Sequence, residues 1–228
     1  MIFAALLIMA PAADVVETLH FSGYDWIVKS SAQSVGPGPN LFSGSPRAVF
    51  VDAEGRLHLR IFKSPRGWEC SEVGLAKQLG YGTYSFTVET PPEQIDDRAV
   101  LGLFTYGDDP EYEHREIDVE VSRWGDPSLP NAQFVVQPYQ LESNIKRFEV
   151  PKKLRGVKYE FTWRPGSVAF QAVGANFRQE WTFTGKNVPV PKDEVARINF
   201  WLLEGKPPAV PKAYEAVISK FSFKKLER

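Results

Sequence analysis

From residue 48 onward the chain alternates apolar and polar positions with a period of two, interrupted at short intervals by glycine, proline or acidic turns. Residues 48–52 lead to a turn at Ala53-Glu54-Gly55, and residues 57–62 alternate cleanly after it, which predicts a hairpin. Residues 159–164 and 168–173 predict a second one across Pro165-Gly166. Residues 81–88, 100–106, 116–123, 133–136, 179–183, 198–203 and 216–223 alternate in the same way, and no long segment of helical period competes with them. Many short strands separated by Gly/Pro turns predict an all-β fold: two antiparallel sheets packed as a β-sandwich jelly roll of the concanavalin A-like kind. One curved face of such a sandwich makes a concave cleft lined by every second residue of each strand.

The stretch Glu116-Ile117-Asp118-Val119-Glu120 carries the candidate chemistry. On a strand its three carboxylates share one face, while Ile117, Val119 and Val121 point to the other and suit a core. Like charges in a row destabilise a strand, because close carboxylates cannot all ionise at their usual pKa. Paired carboxylates whose pKa values are pushed apart are what glycosidic-bond hydrolysis requires. By chance such a pentapeptide arises in about one chain of this length in two hundred, so its surroundings have to carry the rest.

Composition narrows the picture. A chain of 228 residues fits one large β domain, here 14–228, and 43% hydrophobic content supports a real core. A net charge of −1 with no basic stripe points away from nucleic acid. Residues 1–13 form an apolar run ending in Ala10-Pro11-Ala12, a small-residue cleavage pattern without the usual basic start. They are read as a signal peptide, either clipped or with a misplaced start codon, against the alternative of a buried terminal strand; this reading predicts a secreted or periplasmic protein, and the run is too short to span a bilayer. Cys70 is the only cysteine, so neither an internal disulfide nor a thiolate metal site is expected.

His114-Arg115-Glu116-Ile117-Asp118-Val119-Glu120 resembles the E-[I/L]-D-x-E signature of glycoside hydrolase family 16, the β-glucanase and lichenase group, in the form without an inserted residue. Gly102-Leu103-Phe104-Thr105-Tyr106, Glu72 followed by Leu79-Gly80-Tyr81-Gly82-Thr83-Tyr84, and Asn199-Phe200-Trp201-Leu202 resemble further family segments in the right order. The resemblance implies that Glu116 is the nucleophile, Glu120 the acid/base, and Asp118 the residue that tunes both. It implies sugar contacts from Asn40, Glu72, Tyr106, Gln133 and Trp201, with a core aromatic as the alternative, less favoured reading of Trp201. Val135 and Gln137 stand where lichenases carry Asn and an aromatic, a departure that bears on the substrate.

The implied activity is retaining, endo-acting hydrolysis of internal β-linkages in a β-glucan or related polysaccharide. Strand spacing alone does not give retention: residues i and i+4 lie about 13 Å apart along a straight strand, against about 5–5.5 Å between carboxyls in retaining enzymes. Transglycosylation by the same carboxylates, and a non-catalytic glycan-binding jelly roll, stay open. No cofactor is expected; the resemblance brings a structural calcium into view, with Glu215 as an acid on the far face, without a ligand set. The expected protein is a monomer that binds polysaccharide and neither nucleic acid nor membrane. Arg115 is expected in solvent, His114 as a structural residue, and Trp68 and Trp124 along a groove rim.

Overall fold

The computed structural model describes residues 17–227; the apolar run at 1–13 lies outside the described residues. The strands are β1 (Thr18–Phe21), β2 (Tyr24–Val28), β3 (Leu41–Phe42), β4 (Val49–Val51), β5 (Leu57–Ser64), β6 (Gly67–Leu75), β7 (Gly82–Val88), β8 (Ala99–Tyr106), β9 (Ile117–Val121), β10 (Ala132–Val136), β11 (Ile145–Phe148), β12 (Val157–Arg164), β13 (Ser167–Gly174), β14 (Phe177–Thr184), β15 (Val195–Leu202) and β16 (Tyr214–Lys225). Among the described residues no helix is long and apolar enough to cross a membrane.

Two sheets result. One runs β1-β2-β6-β15-β8-β9-β10-β11 and the other β4-β5-β16-β7-β12-β13-β14. The β5–β6 hairpin joins them: the start of β6 pairs with β5, and its later residues pair with β2 and β15. This is the expected antiparallel jelly roll, with the short parallel contact of β3 on β6 as its exception.

The alternation explains the packing. Ile117, Val119 and Val121 are fully buried, as the strand period requires. Aromatic rings close the space between the sheets. Phe134 of β10 stacks on Phe170 of β13 with centroids 5.0 Å apart, and Trp26 of β2 meets the edge of Phe221 of β16 at 5.0 Å. Buried residues of both sheets form one continuous core. With the apolar faces turned inward, the opposite face of the β6-β15-β8-β9-β10 sheet is left to carry polar side chains.

Candidate active site

Strand register sets the site in two rows across that outer face. In one, Gly74, Arg197, Phe104, Asp118 and Val135 are successive partners from β6 to β10. In the next, Glu72, Asn199, Gly102, Glu120, Gln133 and Arg147 follow one another from β6 to β11. Glu116, extended just before β9, lies two positions beyond Asp118 on the same face. Glu116, Asp118 and Glu120 thus line a cavity of about 420 Å³ together with Lys29, Glu72, Tyr106, Arg197, Asn199 and Trp201. Glu116, Glu120 and Trp201 also border a second hollow, with Trp124, Gln133, Gln137, Tyr139 and Arg147, so the acids sit where two halves of one groove meet. Gly102 keeps the floor flat beside Glu120: a Cβ there would come within 2.4 Å of Asn199 Oδ1, which accepts the Gly102 N–H at 3.2 Å.

Burial raises all three acids, with different counterweights. Burial pushes Asp118 well above the usual carboxylate range, and the charges of Glu116 and Glu120 add to it. The Gln137 amide acts against this rise, and the balance favours the protonated form of Asp118, which can donate to the neighbouring Glu116. Glu116 is pushed up to about 7 by burial and by the charges of Glu120 and Glu72, against the donor Asp118 and the Arg197 cation. Burial raises Glu120 also, while a 2.6 Å hydrogen bond from Gln133 Nε2 and the charge of Arg147 hold it back. The three titrate as one coupled unit.

The shift of Glu116 has a stability consequence. Its folded value of about 7 exceeds the ordinary 4.5, so the folded state holds this proton more tightly than the unfolded chain. The associated stability is full below about 4.5 and is lost as pH rises through 7. Glu116→Gln should accordingly raise the unfolding temperature at pH 8 by several degrees, for roughly 3 kcal/mol. The gain should shrink to nothing near pH 4 in calorimetry; an equal gain at both pH values would show that charge is not its cause.

Lys29 Nζ (2.9 Å) and Arg197 Nη1 (3.0 Å) hold the buried Glu72 carboxylate at the Glu116 end of the groove. Tyr106 lies between two planar groups: the His114 ring is stacked on it at 4.7 Å, and the Arg197 guanidinium is 5.2 Å from its centroid. Glu72, Tyr106, Gln133 and Trp201 all line the groove. Asn40 is placed differently. It is buried, with Nδ2 donating to Pro37 O and Leu202 O at 2.8 Å and Oδ1 accepting from Cys70 Sγ at 3.3 Å. Its polar atoms brace the Gly36–Pro37 wall from beneath. Burial pushes the Cys70 thiol up to about 12.

Arg115 overturns the expectation of a solvent position: only 2% of its side chain is exposed. Tyr112, Glu113, His114 and Arg115 all have φ between 49° and 64°, a left-handed turn of four non-glycine residues. Each such residue costs about 1 kcal/mol or more, so tertiary contacts must hold it. The turn reverses the direction of Arg115 and carries its guanidinium inward. There Nε donates to Val190 O (2.9 Å), Nη1 to Asp109 Oδ1 (3.1 Å) and Nη2 to Glu111 Oε2 (2.7 Å). The backbone is tied as well, with Thr105 Oγ1 donating to Arg115 O and Gly107 N–H to His114 O. Glu116 begins immediately after this clamp. His114 is the expected structural residue in its contacts, stacked and with Nδ1 at 3.1 Å from Gly107 O. Of the two rim tryptophans, Trp124 borders the groove beneath the Arg147 guanidinium, whereas Trp68 packs against the core.

Arg197, Asn199 and Lys29 were not named as site residues from the sequence, although Asn199 lies in the matching Asn199-Phe200-Trp201-Leu202 segment. Period two would have found the first two, since Arg197, Asn199 and Trp201 are alternate residues of β15 on one face. Glu215 does not fit as a cation ligand: Arg60 Nε (2.6 Å) and His58 Nδ1 (3.1 Å) already occupy its carboxylate. Among the described residues no cluster of three or more His, Cys, Asp or Glu side chains is arranged to hold a metal ion.

The fold is that of the β-glucanase jelly rolls. A β-glucanase of Bacillus licheniformis superposes with a TM-score of 0.67 at 18% identity, over 88% of this chain and 92% of that one. A structure described as an immunostimulatory antigen and pseudo β-1,3-glucanase of Mycobacterium tuberculosis matches at 0.67 and 17% identity, over 89% and 91%. A prokaryotic β-1,3-1,4-glucanase (lichenase) from a mouse hindgut metagenome matches at 0.60 and 16%, over 88% and 93%. No family profile and no curated protein matches the sequence. At these identities the likeness establishes the architecture, and the chemistry has to be argued from the groove.

Proposed function

We propose that the protein is a retaining, endo-acting glycoside hydrolase that cleaves internal β-linkages of a β-glucan or related polysaccharide. The observation that carries the reading is the row of three acids, alternate residues on one strand face, on the floor of a groove with aromatic side chains on both sides of it. In the first step a Glu116 oxygen bonds to the anomeric carbon as the glycosidic C–O bond breaks, and Glu120 gives its proton to the leaving oxygen. In the second, Glu120 takes a proton from water, whose oxygen attacks the anomeric carbon and releases the Glu116 carboxylate. Asp118 keeps its proton throughout and donates it as a hydrogen bond to Glu116. Positive charge developing on the sugar beside Glu116 favours its ionised form, which is the form that attacks. Residues 1–13 fit export to where such polymers occur.

Release of reducing sugar from a panel of barley glucan, laminarin, xyloglucan, agarose and carrageenan tests the reading and sorts the polymer; no release from any would reject hydrolysis. The pH dependence follows from the nucleophile. Only ionised Glu116 attacks, so kcat/KM should rise with pH through about 7 and fall again where Glu120 loses its proton. A rate that is flat from pH 4 to 7 would exclude Glu116 from that role.

A second reading, glycan binding without turnover, is favoured by one contact. Gln133 Nε2 donates to Glu120, which stabilises the carboxylate form of a group that must begin as an acid. Binding of an oligosaccharide by calorimetry with no product after prolonged incubation would select it.

A further inference from the structure

Gln137 directly follows β10, and its backbone N–H donates to Glu116 O at 3.2 Å. Its side chain is fixed by two contacts of opposite sense. The Tyr139 backbone N–H, which can only donate, bonds to Gln137 Oε1 at 2.8 Å. That identifies the amide oxygen without ambiguity, so the amide nitrogen faces Asp118 and donates to Oδ2 at 3.0 Å. In a protonated carboxyl the carbonyl oxygen is the stronger acceptor, so the oxygen that takes the Gln137 N–H is favoured as the carbonyl, with the proton on the other.

We infer that Gln137 is a positioning residue that confines the proton of Asp118 to Oδ1, from which it is donated to Glu116. The inference deepens the hydrolase reading and rests on it for its functional meaning. Asp118 is 3% exposed, and a buried carboxylic acid with a free choice of oxygen could turn its proton to either side. With Oδ2 claimed by Gln137, one arrangement remains, and it presents an O–H to the nucleophile. Without Gln137, the proton can move to Oδ2 and leave Glu116 facing a lone pair. The charge on Glu116 would then be less favourable, and Glu116 would hold its proton to higher pH.

Other groups facing these acids stay in place in such a variant. They are Glu120 on β9, Glu72 on β6, Lys29 beside β2, Arg197 on β15, Tyr106 on β8, His114 in the preceding turn and Arg147 on β11. Phe104 and Val135, the cross-strand partners of Asp118, contribute no charge.

The test is a carboxyl-carbon NMR titration of Glu116 in the full chain, paired with a pH–rate profile. Gln137→Met, which fills similar volume without a donor, should move the Glu116 midpoint and the acid limb of kcat/KM upward by about one pH unit. KM at the optimum should change little. Gln137→Glu keeps an acceptor for Tyr139 N–H and guards against a loop rearrangement. It should behave as wild type only at low pH, where its own carboxyl is protonated and can donate to Asp118. An unshifted Glu116 midpoint in a folded Gln137→Met protein overturns the inference. A shifted midpoint in Gln137→Met, together with a wild-type chain that hydrolyses no glycan, supports it while rejecting the hydrolase reading, so the two failures are distinguishable.

Discussion

Glu116→Gln and Glu120→Gln are each expected to lower turnover by several decades while the fold is retained, as judged by an unchanged circular dichroism spectrum. The expectation follows from position: both side chains line the groove rather than the core, and neither carries a hydrogen bond that a glutamine would abolish with loss of packing. The two losses should differ in kind. In Glu116→Ala a small anion such as azide fits the vacated space and can attack the substrate directly, giving a glycosyl azide of inverted configuration. In Glu120→Ala the nucleophile still attacks, so azide intercepts the glycosyl–enzyme and gives the retained anomer. Product stereochemistry by NMR assigns the roles. Inverted azide from the Glu120 variant would exchange them. Asp118→Asn should cost less turnover than either, because an amide still donates to Glu116 but cannot follow its charge.

Arg115→Ala should destabilise the protein by about 3 kcal/mol, the usual range for breaking a buried ion pair by removing one partner. Asp109 and Glu111 lose their cation, Val190 O loses its donor, and the four-residue left-handed turn loses what holds it. Because Glu116 follows the turn directly, turnover should fall together with stability, and more than KM rises. Arg115→Lys should recover only part of either, since an ammonium cannot serve three partners in a plane. Denaturant unfolding of the variants provides the check; a loss below about 0.5 kcal/mol would mean that the turn is held by its other contacts.

The contrast between Glu116 and Arg115, neighbours in the chain, shows what was legible in the sequence. The alternation through residues 116–121 fixed the face of every acid, and the structure puts Ile117, Val119 and Val121 in the core as the period demands. The position of Arg115 depended on a backbone conformation that nothing in Tyr112-Glu113-His114-Arg115 announces, because none of the four is glycine. The strands missed have a related cause. β6 reads as no strand because it buries Glu69, Ser71 and Glu72, and a buried acid makes sense only once its partners are known. For Glu72 one of them, Arg197, is 125 residues away. The groove rows were hidden for the same reason: which residues stand side by side across β6, β15, β8, β9 and β10 is a matter of register between strands distant in sequence.

Cys70 closes the account of the groove wall. Buried against Asn40 and holding its proton to about 12, it presents no thiolate to oxidants or to other chains at ordinary pH. Covalent dimers through this sulfur are therefore a property of opened molecules alone, and their appearance in a stored sample would mark how often the Gly36–Pro37 wall comes away from the sheet.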